Sequence, residues 1–193
     1  MKFEIAGHTA FMVVRALKEV RHAKSKGCQG ISLRFHDNVV EVSASDNTVL
    51  LVERVSVNED DFLGDWPEKL NLTLQFGSAS DAIVTAHVKA DMQTWLTFDV
   101  HEGTGTMRIN DGMLHGLSVG TSAMYEAVVP KKESPLAECE TFSLQQMMRV
   151  AYAWGFGGEY SSSTVRMVRL NESLVKLEPL DTMGRDRFAV LAI

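Results

Sequence analysis

The sequence predicts an α+β protein in which one short helix repeatedly backs onto antiparallel strands. Three observations predict it. Segments 8–26 and 144–154 carry apolar residues at helical spacing. Around them run short segments that alternate apolar and polar residues, as half-buried strands do. The order strand–helix–strand–strand–strand also recurs three times, over 1–57, 69–120 and 139–193, in architecture rather than in residue identity. Such units are too long for the common solenoid families. Helices that each return to antiparallel strands predict layers, with the helices on one face of the sheets.

Residues 2–6 read as a first strand and 8–26 as an amphipathic helix. At 100° per residue, Met12, Val13, Ala16, Leu17, Val20 and Ala23 share one side, and Arg15, Lys18, His22 and Lys26 the other. Gly27 is the expected helix stop. Strands follow at 31–35, 39–43 and 49–57, separated by turns at His36-Asp37-Asn38 and Ser45-Asp46-Asn47.

The acidic stretch 58–68, with Gly64 and Pro67, reads as a connection. Residues 70–76 alternate cleanly and read as a strand. Residues 80–91 favour a helix capped by Ser78 or Ser80, although Ile83, Thr85 and His87 against Val84, Ala86 and Val88 also fit a strand. Strands are expected at 95–100, 104–110 and 113–119, the last two joined by an Asn-Asp-Gly turn. These units form a first domain, 1–129.

Residues 130–138 hold two of the four prolines and alternating charge, and read as a linker. In the remaining segment, 139–193, residues 139–142 read as a strand and Ser143 as a helix cap. In the helix 144–154, Leu144, Met147, Met148, Ala151 and Trp154 lie on one side, with Gln145, Gln146 and Arg149 opposite. Glycines at 155, 157 and 158 end it. Strands are expected at 164–170, 173–179 and 187–193.

Composition narrows the function classes. An apolar fraction of 45% in 193 residues supports an ordinary core without disulfides or a structural metal. No stretch reaches the roughly 18 apolar residues of a membrane helix, and the N-terminus has no signal-peptide core. Cys28 and Cys139 stand in no CxxC spacing and read as reduced thiols, so a cytoplasmic protein is expected.

Net charge is −6, but it is unevenly spread. Residues 1–30 carry six Lys/Arg against two Asp/Glu, and the other residues 13 against 23. Phosphates respond to a local field, so one basic element on an acidic chain is compatible with DNA.

Enzymatic signatures are weak. The six histidines show no zinc-ligand spacing. The glycines at 155–158 follow a helix, whereas phosphate-cradling loops open one. Ser161 to Thr164 lack a nucleophile-elbow pattern. Glu178, Asp181 and Asp186 form one acidic neighbourhood in an acidic chain, which points only weakly to Mg²⁺. No cofactor, metal or catalytic residue is expected.

Six stretches taken in order resemble a known family, the bacterial β subunit of replicative DNA polymerase, the DNA sliding clamp. They are the MKFEI start before a basic helix, SDNT at 45–48 with VERVSV at 52–57, and residues 103–120 as a closing hairpin. FSLQQMMRV at 142–150, VRMVRLN at 165–171 and DTMGRDRFAV at 181–190 complete the series. Each match is short and degenerate; their order carries the resemblance.

The resemblance implies a clamp-like ring lined by helices, encircling duplex DNA independently of sequence and serving as a processivity factor or docking platform for a polymerase. It places Arg15, Lys18, His22, Lys26, Gln145, Gln146 and Arg149 on the DNA. It places one wall of a partner pocket around Leu180, Met183, Arg187, Phe188 and Val190. The departure is length: the family carries six units per chain, and this sequence three. The unpaired third unit implies a homo-oligomer, a dimer or tetramer. Two other classes stay open: a clamp-like interaction or regulatory module that does not bind DNA, and a Mg²⁺-dependent hydrolase using Asp181 and Asp186.

Overall fold

The computed structural model describes residues 1–23, 30–46, 48–75, 90–112, 114–120, 143–154, 165–180 and 186–192. The strands are β1 (Lys2–Ala6), β2 (Ile31–His36), β3 (Val39–Ser45), β4 (Val49–Ser56), β5 (Phe62–Leu63) and β6 (Leu70–Leu74). They continue with β7 (Trp95–Val100), β8 (Thr104–Ile109), β9 (Leu114–Val119), β10 (Val165–Asn171), β11 (Leu174–Pro179) and β12 (Asp186–Ala192). Two helices are described, α1 (Gly7–Val20) and α2 (Leu144–Trp154). The strands form one antiparallel sheet in the order β10-β11-β12-β4-β3-β2-β6-β9-β8-β7-β1-β5. This is the predicted α+β arrangement.

The first two units are interlocked by exchange. The opening strand of unit one, β1, pairs with β7 of unit two, with Phe3 opposite Phe98. The opening strand of unit two, β6, pairs with β2 of unit one, with Leu72 opposite Leu33. Each unit therefore caps the other's second strand, as an approximate two-fold relation requires.

The sheet also curls. In sheet order β2 and β7 are four strands apart, roughly 19 Å if the sheet were flat. Yet the Phe35 ring on β2 lies 5.6 Å from the Phe98 ring on β7, and Phe3 lies 5.3 and 4.8 Å from these two rings. All three are fully buried. The concave side holds a core in which Leu17, Ile31, Leu33, Leu51 and Leu72 are also buried. Burying such side chains stabilises the fold by about 1.5–3 kcal/mol each.

α1 sits on that concave side, with Val13, Ala16, Leu17 and Val20 buried on the predicted stripe. The helix is shorter than the predicted 8–26: it ends at Val20 and tightens into a 3₁₀ turn, Arg21–Ala23. Lys24 to Gln29 lie outside the described residues. Its N-terminus has no local cap, since Ala6 occupies that position. Asp61 replaces it from 52 residues away: its Oδ2 accepts bonds from Thr9 N at 3.0 Å and Thr9 Oγ1 at 2.7 Å. Gly7 adopts φ +57°, and a Cβ there would come within 2.6 Å of Asp61 Oδ1, so the position needs glycine. The connection 58–68 is thus more than a spacer. It supplies this cap and adds β5 to the outer edge of β1.

α2 differs from its predicted orientation. Val150, Ala153 and Trp154 are the buried residues, while Leu144 and Met148, expected inside, are exposed. The helix has rolled toward α1 and the 3₁₀ turn, where His22 stacks on Tyr152 at 6.3 Å. Residues 80–91, expected as a helix, and 139–142, expected as a strand, fall in stretches that lie largely or wholly outside the described residues.

Candidate nucleic-acid interface

With the apolar stripe of α1 buried, Arg15, Lys18 and His22 are left together on the opposite, half-buried side of the helix and its 3₁₀ extension. Arg15 Nε pairs with Glu19 Oε1 at 3.2 Å, one turn on. Such a partly exposed i,i+4 pair contributes only about 0.3–0.5 kcal/mol, so a phosphate can displace the carboxylate at small cost. Burial first, and then the positive Arg21 beside it, hold the His22 imidazole below its usual value, with Glu19 opposing. At neutral pH His22 is therefore uncharged, and the positive charge of this face comes from Arg15, Lys18 and Arg21. Lys26 lies outside the described residues.

The three predicted residues on α2 are used differently. Gln145 is exposed. Gln146 Nε2 donates to the carbonyl oxygens of Ala192 at 3.2 Å and Thr48 at 3.4 Å. Arg149 Nη1 donates to Asp46 Oδ2. Asp46 is only 4% exposed, and its Oδ1 accepts from Thr48 N, Thr48 Oγ1 and Val49 N at 2.7, 2.9 and 2.8 Å. Gln146 and Arg149 thus anchor α2 to the start of β4 and the end of β12. The exposed strip of α2 is Leu144, Met148 and Tyr152, which carries no charge.

The expected partner residues are divided by strand alternation. On β12, Phe188 and Val190 face away from the helices, in a small cluster with Leu50, Val52 and Leu170. Arg54 and Lys176 lie over the Phe188 ring at 5.2 and 4.9 Å. Arg187 points to the helix side. It is buried 3.7 Å from Glu19 Oε2 and 3.8 Å from Glu53 Oε1, over the Trp154 ring at 5.6 Å. This cluster ties α1, β4, α2 and β12 together, and sequence reasoning did not find it. Leu180 is 65% exposed, and Met183 lies outside the described residues.

Among the described residues no group of three or more His, Cys, Asp or Glu side chains could hold a metal. None of their helices is long and apolar enough to cross a membrane.

No protein-family model matches the sequence, and no curated protein matches it. Solved structures do. The chain is similar over its whole length to the DNA polymerase III β subunit of Thermotoga maritima, with a TM-score of 0.65 and 12% identity. It is likewise similar to the DNA polymerase sliding clamp of Bacillus subtilis, with a TM-score of 0.63 and 11% identity. It spans 65% and 64% of the length of those two chains. A third likeness, at a TM-score of 0.54 and 10% identity, covers 98% of the A. fulgidus PCNA chain, solved with the C-terminal region of FEN-1 bound. The chain thus has the fold of the DNA sliding clamps.

Proposed function

We propose that this protein is a clamp-like, non-enzymatic platform that holds duplex DNA without reading its sequence, and that it works as a homo-oligomer of two or four copies. The observation that supports this most is the solvent side of α1. It carries Arg15 and Lys18, with Arg21 on the 3₁₀ turn that follows, in a chain whose net charge is −6. A basic helix face on an otherwise acidic protein directs phosphates to one place and repels them elsewhere. Held this way, DNA slides past contacts that are alike at every step. Gln145 can extend the contact from α2. A cytoplasmic location and docking of a polymerase or other replication protein belong to the same reading.

The test is binding to a circular duplex over a salt series. Neutralising Arg15 and Lys18 together (Arg15→Gln, Lys18→Gln) should lower the slope of log K against log salt by about 1.8 per copy, two contacts at about 0.9 each. The charge reversal Arg15→Glu, Lys18→Glu should abolish retention. Retention and slope unchanged in both variants would refute DNA contact through α1.

A second reading, a docking module that does not bind DNA, is favoured by the use of Gln146 and Arg149 inside the protein. It places the partner on the outer face, at exposed Leu180 and at Arg54 and Lys176, which lie over the buried Phe188. It predicts that the Arg15 and Lys18 variants change nothing while Leu180→Asp loses the partner.

A further inference from the structure

The third unit is the odd one. In the first two units, β2 and β7 each receive the opening strand of the other unit along their far edge. β10 holds the corresponding place in the third unit, first strand after a helix. Among the described residues its one neighbour is β11, which leaves it at the end of the sheet. α2, which precedes it, is incompletely covered. Leu144 is 76% exposed, Tyr152 64% and Met148 45%. Between α2 and the β10–β11 hairpin lies a cavity of about 320 Å³, lined by Leu144, Met147, Met148, Ala151, Val165 and Leu177 among others. All its described lining residues are apolar. Such a wall suits another protein's apolar surface and not a phosphate or an ionised ligand.

We propose that a second copy of this chain occupies this face. Two copies would meet on a two-fold axis, with the α2 strip and β10 edge of each against the third unit of the other. The argument for a second copy lies in the chain's own first two units. They show that a unit of this architecture is completed by another of the same architecture in two-fold relation. The third unit of a second copy is such a unit. The resulting contact is isologous, the commonest kind in homo-oligomers. It also covers the outer edge of β10, which pairs only with β11 among the described residues. The inference deepens the oligomer in the function proposed above and is independent of its DNA contact.

Sedimentation and light scattering of the whole chain over a wide concentration range test it. The expected result is a mass of two chains or a multiple of two. Leu144→Asp with Met148→Asp should halve the dimer mass, and since both side chains already face solvent, the far-ultraviolet dichroism should stay unchanged. Leu180→Asp alters an equally exposed leucine elsewhere and should leave the mass unaltered. A monomer at the highest concentration overturns the proposal. So does an oligomer whose mass ignores Leu144→Asp with Met148→Asp. DNA retention, measured on the same samples, is a separate readout: a dimer that ignores DNA removes the DNA reading and leaves this interface standing, and a monomer retained on DNA does the reverse.

Discussion

Replacing Arg149 with methionine removes the guanidinium that binds Asp46 and keeps most of the side chain's apolar length. Asp46 is 4% exposed, so its Oδ2 would be left without its Arg149 donor in a nearly dry place. Breaking a fully buried pair costs about 3–5 kcal/mol. Two facts lower the figure here. Oδ1 keeps its three donors from Thr48 and Val49, and Arg149 is itself 21% exposed, so water partly replaces it. A charge-assisted bond of about 2–3 kcal/mol is the better measure. For a chain of 193 residues, where each kcal/mol moves the melting point by about 2–4 °C, that is a fall of about 4–12 °C. Differential scanning calorimetry reads it directly. Asp46→Asn should fall by a similar amount, and the double variant by less than the sum of the two, because the residues share one interaction. DNA retention per folded molecule should not change. A variant that melts with the unaltered protein but loses DNA as the Arg15 and Lys18 variants are expected to do would refute this. It would mean that Arg149 faces phosphate and not Asp46.

Two further predictions concern the joints of the fold. Asp61→Ala should cost about 1 kcal/mol, the usual worth of a helix cap, and Asp61→Asn less, because the amide oxygen still accepts from Thr9. Its pH dependence follows from the bonds that Thr9 donates, first from the hydroxyl and then from the backbone, which hold the Asp61 carboxyl below its usual value. A carboxylate favoured in the folded state contributes fully above the unfolded value of about 3.9, and the contribution is lost as pH falls through the folded value. The melting gap between Asp61→Asn and the unaltered protein should therefore be constant near neutrality and close in acid. Arg187→Met should cost about 3–5 kcal/mol, because it takes the guanidinium from Glu53, which is as buried as Arg187 itself. Adding Glu53→Gln should restore part of that in urea unfolding, and no recovery would show that the ion pair is not what holds the site.

Much of this fold is legible in the sequence because its local signals agree. The α1 stripe, the alternating strands and the turn residues all point the same way. What the sequence hides is long-range. Ala6 is a poor helix cap, which hints at a remote substitute, but nothing local identifies Asp61. The same holds for Arg149. The 100° wheel puts it on a polar face, and only the fold shows that Asp46 and Thr48 lie beneath it. For α2 the apolar spacing points to Leu144 and Met148, yet the helix packs on Val150, Ala153 and Trp154, because α1 and β4 reach it from that side. One separation was readable and missed. Arg187 and Phe188 are neighbours in a strand, so a period of two already assigns them to opposite faces.

Glu19 links the proposed DNA contact to the stability of the fold, and this gives a test with two readouts of opposite sign. Its Oε1 accepts from Arg15 Nε at 3.2 Å, and its Oε2 lies 3.7 Å from Arg187 Nη1. A phosphate that reaches Arg15 thus exchanges one anion for another, which keeps each contact weak and quickly broken, as sliding requires. Glu19→Gln removes that competitor and one negative charge from the helix. The expected outcome is tighter non-specific binding at every salt concentration with the salt slope little changed, because Arg15 is already one of the two phosphate contacts. The same substitution takes the Glu19 carboxylate from the buried Arg187, so the melting point should fall. Fluorescence anisotropy on a labelled duplex reads the first effect and calorimetry the second. Weaker DNA binding in a variant that is still folded would mean that Arg15 needs Glu19 to hold its position, and the exchange argument would fail.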